Sequence, residues 1–307
     1  MRPLIVALDT PVTESAAEEA RWPSPFAVMR RRALRHRGLI IGGSWLLLMI
    51  LVAALASLIA PHDPYEQDLT ARLIEPAWGA GGSWAHPLGT DALGRDYLSR
   101  IIYGARVSLI VGFGASLISG LIGVSLGLIG GYFGGRTDGF VMYLVNVKLA
   151  LPGILVALSL VAMFGGSITA LVIILGFLFW ERYAVVTRSA TQQIRRAEFV
   201  LAAQACGASR LRIIVGEILP NVLNQVIVVA TLEMAIAILV EAALSFLGLG
   251  TQPPTPSWGL MVSEGRNYIF YKPYLIELPG AAIFLLVMAI NMLGDGVRDV
   301  TAPEGRN

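Results

Sequence analysis

Lys148, Glu233 and Glu241 each stand inside a run of apolar residues, where a charged side chain is either paired or engaged in function. Three chemistries fit such groups. They can relay a proton or a sodium ion, neutralise one another as buried pairs, or line a wet cavity and touch a solute. Lys148 and Glu233 lie about 12 Å and about 18 Å from the same end of their runs at roughly 1.5 Å per residue, so their side chains are in reach of each other. Mutual pairing is the simplest way to satisfy both.

Other chemistries are excluded by what the chain lacks. Its only lysines, Lys148 and Lys272, follow Val147 and Tyr271, so no Gly-Lys pair and no Walker A phosphate loop exists. The glycine-rich stretch Gly130 to Arg136 reads as a tight turn between helices, because no lysine follows it to hold phosphate. His36, His62 and His86 show no HExxH spacing, and Ser167 lacks the second glycine of a GxSxG elbow. No catalytic residue, metal-ligand set or resident cofactor is expected. Cys206 is single, which rules out an internal disulfide, and reads as a small packing residue.

The elements that must position the charges follow from composition. The chain is 55% hydrophobic and 14% charged, against about 25% charged in a soluble domain. An all-α integral membrane protein is expected. A bilayer core needs about 20 apolar residues in helix, and six segments qualify, near 38–60, 107–130, 140–164, 168–188, 221–247 and 279–297. Pro152 interrupts the third. Residues 1–37 read as a cytoplasmic tail with a basic anchor for anionic headgroups, 61–106 as an external segment, 189–220 as a cytoplasmic loop and 301–307 as a cytoplasmic tail. Nothing in the first 25 residues has the apolar core of a cleavable signal. Arg2, Arg21, Arg30, Arg31, Arg32, Arg35, Arg37, Arg136, Arg188, Arg195, Arg196, Arg210, Arg212, Arg298 and Arg306 fall on one side. Only Arg72, Arg95, Arg100, Arg106, Arg266 and Lys272 fall on the other, which places both termini in the cytoplasm. The small net charge of +2 gives no reason to expect a nucleic-acid partner.

Four stretches outside the apolar runs carry local signals. In EFVLAAQACGASRLRIIVGEILPN, Glu198 to Asn221, the residues from Arg196 to Cys206 favour helix. Ala202, Ala203 and Ala205 leave a low surface, Gly207 permits positive φ, and Leu211, Ile213 and Ile214 begin a second amphipathic turn before Pro220. The result is a helix-turn-helix knob. In HPLGTDALGRDYLSRIIYG, His86 to Gly104, Thr90 reads as a helix cap, and Asp91 with Arg95 and Asp96 with Arg100 read as pairs four apart on a solvated helix. In EAALSFLGLGTQPPTPSWGL, Pro253, Pro254 and Pro256 forbid a continued helix and, with Trp258, offer a rigid external face. In NMLGDGVRD, Asp295 and Arg298 read as structural.

These four stretches together resemble the permeases of binding-protein-dependent ABC importers, most nearly the C-type subunit of dipeptide, oligopeptide or nickel systems. Ala202, Ala203, Gly207, Leu219 and Pro220 match the family's EAA loop, and the others match its LGTD-GRD-SR segment, its proline-rich loop and its NxxGDxLRD end. The likeness covers about residues 30 to 303. It implies the type I importer fold and a bacterial inner-membrane location. It also implies a second permease subunit, two ATP-binding subunits that hold ATP and Mg, an external solute-binding protein, and lipid around the spans. By resemblance, Glu198, Leu201, Ala202, Ala203, Gly207, Ala208 and Ser209 meet the ATPase, and Pro253, Pro254, Pro256 and Trp258 meet the binding protein. Leu201 replaces the motif's glutamate, Val185 stands where many members carry arginine, and Ala302 replaces an aspartate. Peptide or nickel are the solutes implied. The rival readings are an ion-driven secondary transporter using Lys148, Glu233 and Glu241, against which the lack of an inverted repeat argues, and a scaffold subunit without transport.

The purified chain is expected to bind no ATP, because it has no phosphate loop. Saturable binding of labelled ATP by the chain alone would overturn that reading.

Overall fold

The computed structural model describes residues 31–301, which are helical apart from the connecting loops. Most of the N-terminal tail, Arg30 of the basic cluster and the departure at Ala302 lie outside the described residues. Helix α1 is Arg37–Ala54, continued by one turn at Ala56–Ile59, and α2 is Tyr97–Phe133. Helices α3, Gly135–Leu149, and α4, Gly153–Phe164, follow. Then come α5, Ile168–Ile194, α6, Glu198–Ala205, α7, Arg210–Phe246, α8, Trp258–Gly265, and α9, Tyr274–Thr301. Among the described residues α1, α2, α5, α7 and α9 are long and apolar enough to cross a membrane. The pair α3 and α4, bent by 78°, makes a sixth span if counted as one. Pro152 caps α4 at that bend, where the sequence places the break.

Helix ends depart from the sequence expectation wherever polar residues find distant partners. Helix α2 begins at Tyr97 rather than 107, because the Asp96 carboxylate accepts from the Ser99 amide at 2.8 Å and caps it. Thr90, expected as a cap, instead sits in the loop, donating to the Ala71 carbonyl at 2.5 Å and accepting from the Ile74 amide at 2.9 Å. Arg106 is absorbed into α2 because its guanidinium donates to the Ala53 and Ala54 carbonyls at 2.6 and 3.1 Å, satisfying the open end of α1.

Asp91 and Arg95 pair as expected, at 2.7 Å, but the expected Asp96–Arg100 pair does not form. Arg100 is fully buried and turns to Asp91 and to Glu264 on α8, the latter at 2.7 Å. Arg95 also reaches Glu264, at 3.2 Å. Two cations and two anions thus neutralise one another in the interior, tying the start of α2 to α8, where the sequence suggested a solvated helix. Beside them, Pro279 inside α9 has no N–H to give the Leu275 carbonyl, and the Tyr97 hydroxyl fills that role at 2.6 Å. At the loop surface Lys272 meets Glu75 at 2.7 Å and holds its carboxyl below the usual range.

The seam between α2 and the second half of α5 is the closest helix approach that bears on function. Gly123, Gly127 and Gly131 recur every four residues along one face of α2. A Cβ at Gly123 would lie 2.2 Å from the Trp180 carbonyl, at Gly127 2.7 Å from the Ala184 carbonyl, and at Gly131 2.7 Å from Thr191 Cβ. Ser119 extends the stripe, its hydroxyl donating to the Gly176 carbonyl at 2.7 Å. In lipid, apolar contact between helices is not driven by water, so small residues that let backbones meet supply the attraction. At the other side of α2, Gly104 receives the ring of Trp258, whose Nε1 donates to the Ile101 carbonyl at 2.9 Å. His36 accepts from the Leu39 amide to cap α1 and pairs with Asp299 at 3.1 Å, adding a polar contact to the close approach of α1 and α9 at Gly42 and Gly296. Asp295 and Arg298 are exposed.

Gly127→Leu is expected to force the backbones apart and cost about 3 kcal/mol or more, beyond ordinary overpacking. Gly139→Ala, whose Cβ meets nothing within 4 Å, is expected to be neutral or to stabilise by up to about 1 kcal/mol. Thermal unfolding of the two purified variants in detergent separates these outcomes.

Candidate functional site

Two features gather the residues that the sequence singles out, a knob at the end of the α2–α5 seam and a set of charges within the bundle. The knob is α6 with its following turn. Its C-terminus is closed by the Gly207 amide donating to the Gln204 carbonyl and the Ala208 amide donating to the Ala203 carbonyl, both at 3.0 Å. That is the Schellman arrangement, and Gly207 supplies its left-handed residue at φ +78°. Ser209 then caps the next helix by accepting from the Arg212 amide at 3.3 Å. Two helix ends therefore meet across four residues, Cys206 to Ser209, and caps at both ends leave the turn between them no slack.

The second helix is not a separate element. It runs unbroken from Arg210 through Pro220 into α7, with a π-helical stretch at Ile213–Ile218. The Leu219 amide there donates five residues back to the Ile214 carbonyl, so the helix is wide just where Pro220 lacks a donor.

The knob has two faces. Inward, Val200, Ile213, Ile218 and Val222 are buried against Leu128 of α2 and Ala190 of α5. Arg195 fixes the base by donating to the Gly131 carbonyl at 3.0 Å. Outward, Glu198, Leu201, Ala202, Gly207 and Ser209 are exposed, while Ala203 and Ala208 are half-buried. Phe199 on α6 and Leu211 on the next helix are also exposed and add apolar surface to the knob. Neither was singled out for it, although both are large apolar residues in a polar-flanked loop. Cys206 is exposed at the end of α6, not packed as expected, because the helix presents only Val200 firmly to the core.

The charges pair differently from the expectation. Lys148 contacts Glu181, not Glu233, and its ammonium lies 5.5 Å from the centre of the Phe179 ring. Glu233 lies 3.4 Å from Arg182. The cause is local. Helix α5 is interrupted at Phe179 and Trp180, and the adjacent Glu181 and Arg182 then point to different neighbours, one to α3 and one to α7. Each charge takes the partner that this break brings to it. Arg182 remains more than half exposed, and with Glu181, Glu233, Leu149, Val185 and Leu232 it borders an open hollow of about 380 Å³. Arg188 of α5 also grips Asp138 of α3, with Nη2 to Oδ2 at 2.6 Å.

Glu241 belongs to neither pair. It is fully buried, accepts from the Ser245 hydroxyl at 2.7 Å, and that hydroxyl accepts from the Thr251 amide at 3.0 Å. This polar knot closes the end of α7 and leaves Glu241 no access to a cavity. Nor does the proline-rich loop present its residues as one face. Pro253 and Pro254 are exposed, but Pro256 is buried and Trp258 is a core residue against α2. The indole went inward because Gly104 leaves room for it and the Ile101 carbonyl accepts its N–H.

Comparison with known proteins bears on this arrangement. Residues 123–306 match the binding-protein-dependent transport system inner membrane component, and residues 24–76 match the N-terminal TM domain of oligopeptide transport permease C. The chain is 40% identical over 286 residues to the di/tripeptide transport system permease protein DppC of Pseudomonas aeruginosa (strain UCBPP-PA14), covering 93% of this chain and 94% of that one. It is 43% identical over 294 residues to the dipeptide transport system permease protein DppC of Escherichia coli (strain K12), covering 95% and 98%. An inward-facing structure of the MetNI methionine ABC transporter shares the fold, with a TM-score of 0.55 at 18% identity over 66% of this chain and 97% of that one. The chain thus belongs to the family of binding-protein-dependent transport system inner membrane components, and it is a permease subunit of an importer of that kind.

Proposed function

We propose that this permease subunit forms half of the translocation path for di- or oligopeptides, driven by ATP that separate subunits bind with Mg and hydrolyse. The α3–α4 pair then counts as one of six spans, both termini lie in the cytoplasm of a bacterial cell bounded by this inner membrane, and residues 61–96 lie outside. A second permease subunit completes the path, and an external binding protein delivers solute. The observation that carries the reading is the knob, a doubly capped turn whose inner face is locked onto α2 and α5 and whose outer face is apolar and exposed. A groove on an ATPase that closes around this face moves α5 and α7 with it, since neither the turn nor its base can yield.

Leu201 at the centre of that face makes the contact one of shape rather than of a carboxylate. The hollow beside Arg182 is the part of the bundle that presents a charge to a solute, the more than half-exposed guanidinium suiting a peptide carboxylate, while Glu233 is buried. Lys148 and Glu181 serve a structural purpose in this reading, joining α3 to α5.

Reconstituted with its partner subunits in liposomes, the transporter is expected to accumulate labelled dipeptide with ATP and no ion gradient. Uptake that needs a proton or sodium gradient instead would favour an ion relay. Gly207→Val is expected to abolish uptake, because a β-branched residue resists positive φ. It should also free ATP hydrolysis from its dependence on the binding protein, and wild-type uptake would place the coupling surface elsewhere. Leu201→Ala is expected to lower uptake more than Leu201→Glu, and the reverse order would restore a polar contact. Lys148→Met or Glu181→Gln alone leaves a charge stranded and is expected to cost about 3–5 kcal/mol. The double substitution should recover part of that loss in thermal stability, whereas pairing Lys148→Met with Glu233→Gln should not.

A further inference from the structure

We propose that His62, His86 and Asp96 form a binding site for a divalent transition cation of the Zn²⁺, Ni²⁺ or Cu²⁺ class. His62 directly follows the turn that ends α1, His86 lies in the 61–96 segment, and Asp96 is the capping residue of α2. The fold brings the three together. His86 Nδ1 lies 2.9 Å and His62 Nδ1 3.6 Å from the same oxygen, Asp96 Oδ1, and the three donor atoms all lie within 4.8 Å of one another. Two ligands bound at about 2.0–2.1 Å to one ion stand about 2.9 Å apart at a right angle and about 3.3 Å apart in a tetrahedron. The His86–Asp96 separation equals the first of these values, the His62–Asp96 separation exceeds the second by a few tenths of an ångström, and a rotation of the exposed His62 ring would close the set.

Hydrogen bonding alone accounts for only half of the arrangement. Asp96 Oδ1 satisfies His86 at 2.9 Å, but at 3.6 Å it is beyond hydrogen-bond reach of His62, whose nitrogen is nonetheless turned to it. The imidazole rings stand 4.7 Å apart, tilted by 31°, with both Nδ1 atoms turned to the one carboxylate oxygen. A shared cation uses both nitrogens in their neutral form. The carboxylate is already fixed for that role: Asp96 is buried, and its other oxygen accepts from the Ser99 amide at 2.8 Å. Ser99 also orders His62, whose backbone amide donates to the Ser99 hydroxyl at 3.1 Å. One residue of α2 therefore positions two of the three ligands, as the outer partners of a metal site do.

Two imidazoles and one carboxylate suit borderline transition cations, and not Mg²⁺ or Ca²⁺, which take oxygen ligands. His62 is exposed and His86 half-buried, so an ion enters from solvent and keeps positions open to water. Bound there, it clips the loop after α1 to the first turn of α2, next to the buried quartet of Asp91, Arg95, Arg100 and Glu264. The sequence spacing of these three residues matches no metal motif, which is why no site is expected from it.

The test uses the full chain carrying a streptavidin-binding tag instead of polyhistidine, with Cys206→Ser to remove the thiol, in lipid nanodiscs titrated with Cu²⁺. Electron paramagnetic resonance is expected to show one ion per chain, with splitting from two imidazole nitrogens, displaced by excess Zn²⁺. His62→Gln should leave splitting from one nitrogen and weaken binding about tenfold or more. Asp96→Asn, which keeps an acceptor for the Ser99 amide, should weaken binding similarly without lowering the thermal unfolding temperature. His36→Gln removes the remaining histidine and should change nothing. Absence of stoichiometric Cu²⁺ at micromolar concentration, or a spectrum unaltered by both His62→Gln and His86→Gln, would reduce the cluster to a hydrogen-bonded His–Asp pair and overturn the proposal.

Discussion

The approach of α2 to the second half of α5 is the constraint on which the rest of the molecule depends. Lipid gives two apolar helices no reason to prefer each other over acyl chains, so their association must come from packed backbone and from hydrogen bonds. Gly123, Gly127 and Gly131 provide the first, and Ser119 donating to the Gly176 carbonyl provides the second. Ser116 adds to it from the neighbouring face, meeting the Tyr183 hydroxyl at 2.7 Å and the Ala230 carbonyl of α7 at 3.1 Å. Helix α2 is thereby joined to α5 and α7 at once. The knob joins these two helices, α5 running into it at Ile194 and α7 running out of it from Arg210, so the seam decides where the knob points.

Rigidity at the knob follows from that placement. A single amphipathic helix on a membrane surface would slide, because nothing but an apolar stripe holds it. Here Arg195 is tied to the Gly131 carbonyl, Val200 is sealed against Leu128 and Ala190, and the Schellman turn fixes the angle to the next helix. The outward surface can then be apolar without being loose. Leu201 in place of a carboxylate is consistent with this division of labour, since a shape-matched contact needs a stiff support more than it needs a hydrogen bond.

What was legible in the sequence was whatever composition alone determines. The apolar runs, the break at Pro152, the left-handed Gly207 and the helix before it all appear where their residues require them. The helix ends at Tyr97 and Ile194 do not, because counting Arg100, Arg106 and Arg188 as solvated ends the span too soon. Each of those arginines is paid for by a partner from another element, and partners distant in sequence cannot be read from local spacing. Trp258 failed for the same reason, since the space at Gly104 that receives it lies on a different helix. The Gly123–Gly127–Gly131 stripe has a local signature, small residues every four positions, but reading Gly130 to Arg136 as a tight turn hides its last member, which lies inside α2. Taken singly, the three histidines match no known motif, and only the fold sets two of them around one carboxylate.

The membrane-embedded charges show how far partner choice matters. Sequence depth alone places Lys148 and Glu233 within reach, and each needs an opposite charge. The interruption at Phe179 and Trp180 offers each a nearer one, and because Glu181 and Arg182 are consecutive, the two pairs are linked through a single peptide bond. Helices α3, α5 and α7 are therefore stitched at one level by four alternating charges. Separating either pair leaves a charge uncompensated at a cost of several kcal/mol, while bending a helix at an existing break costs far less. The three helices are thus held to one another at that level. The 78° bend between α3 and α4, with Pro152 at its N-cap, follows next in the chain after Lys148.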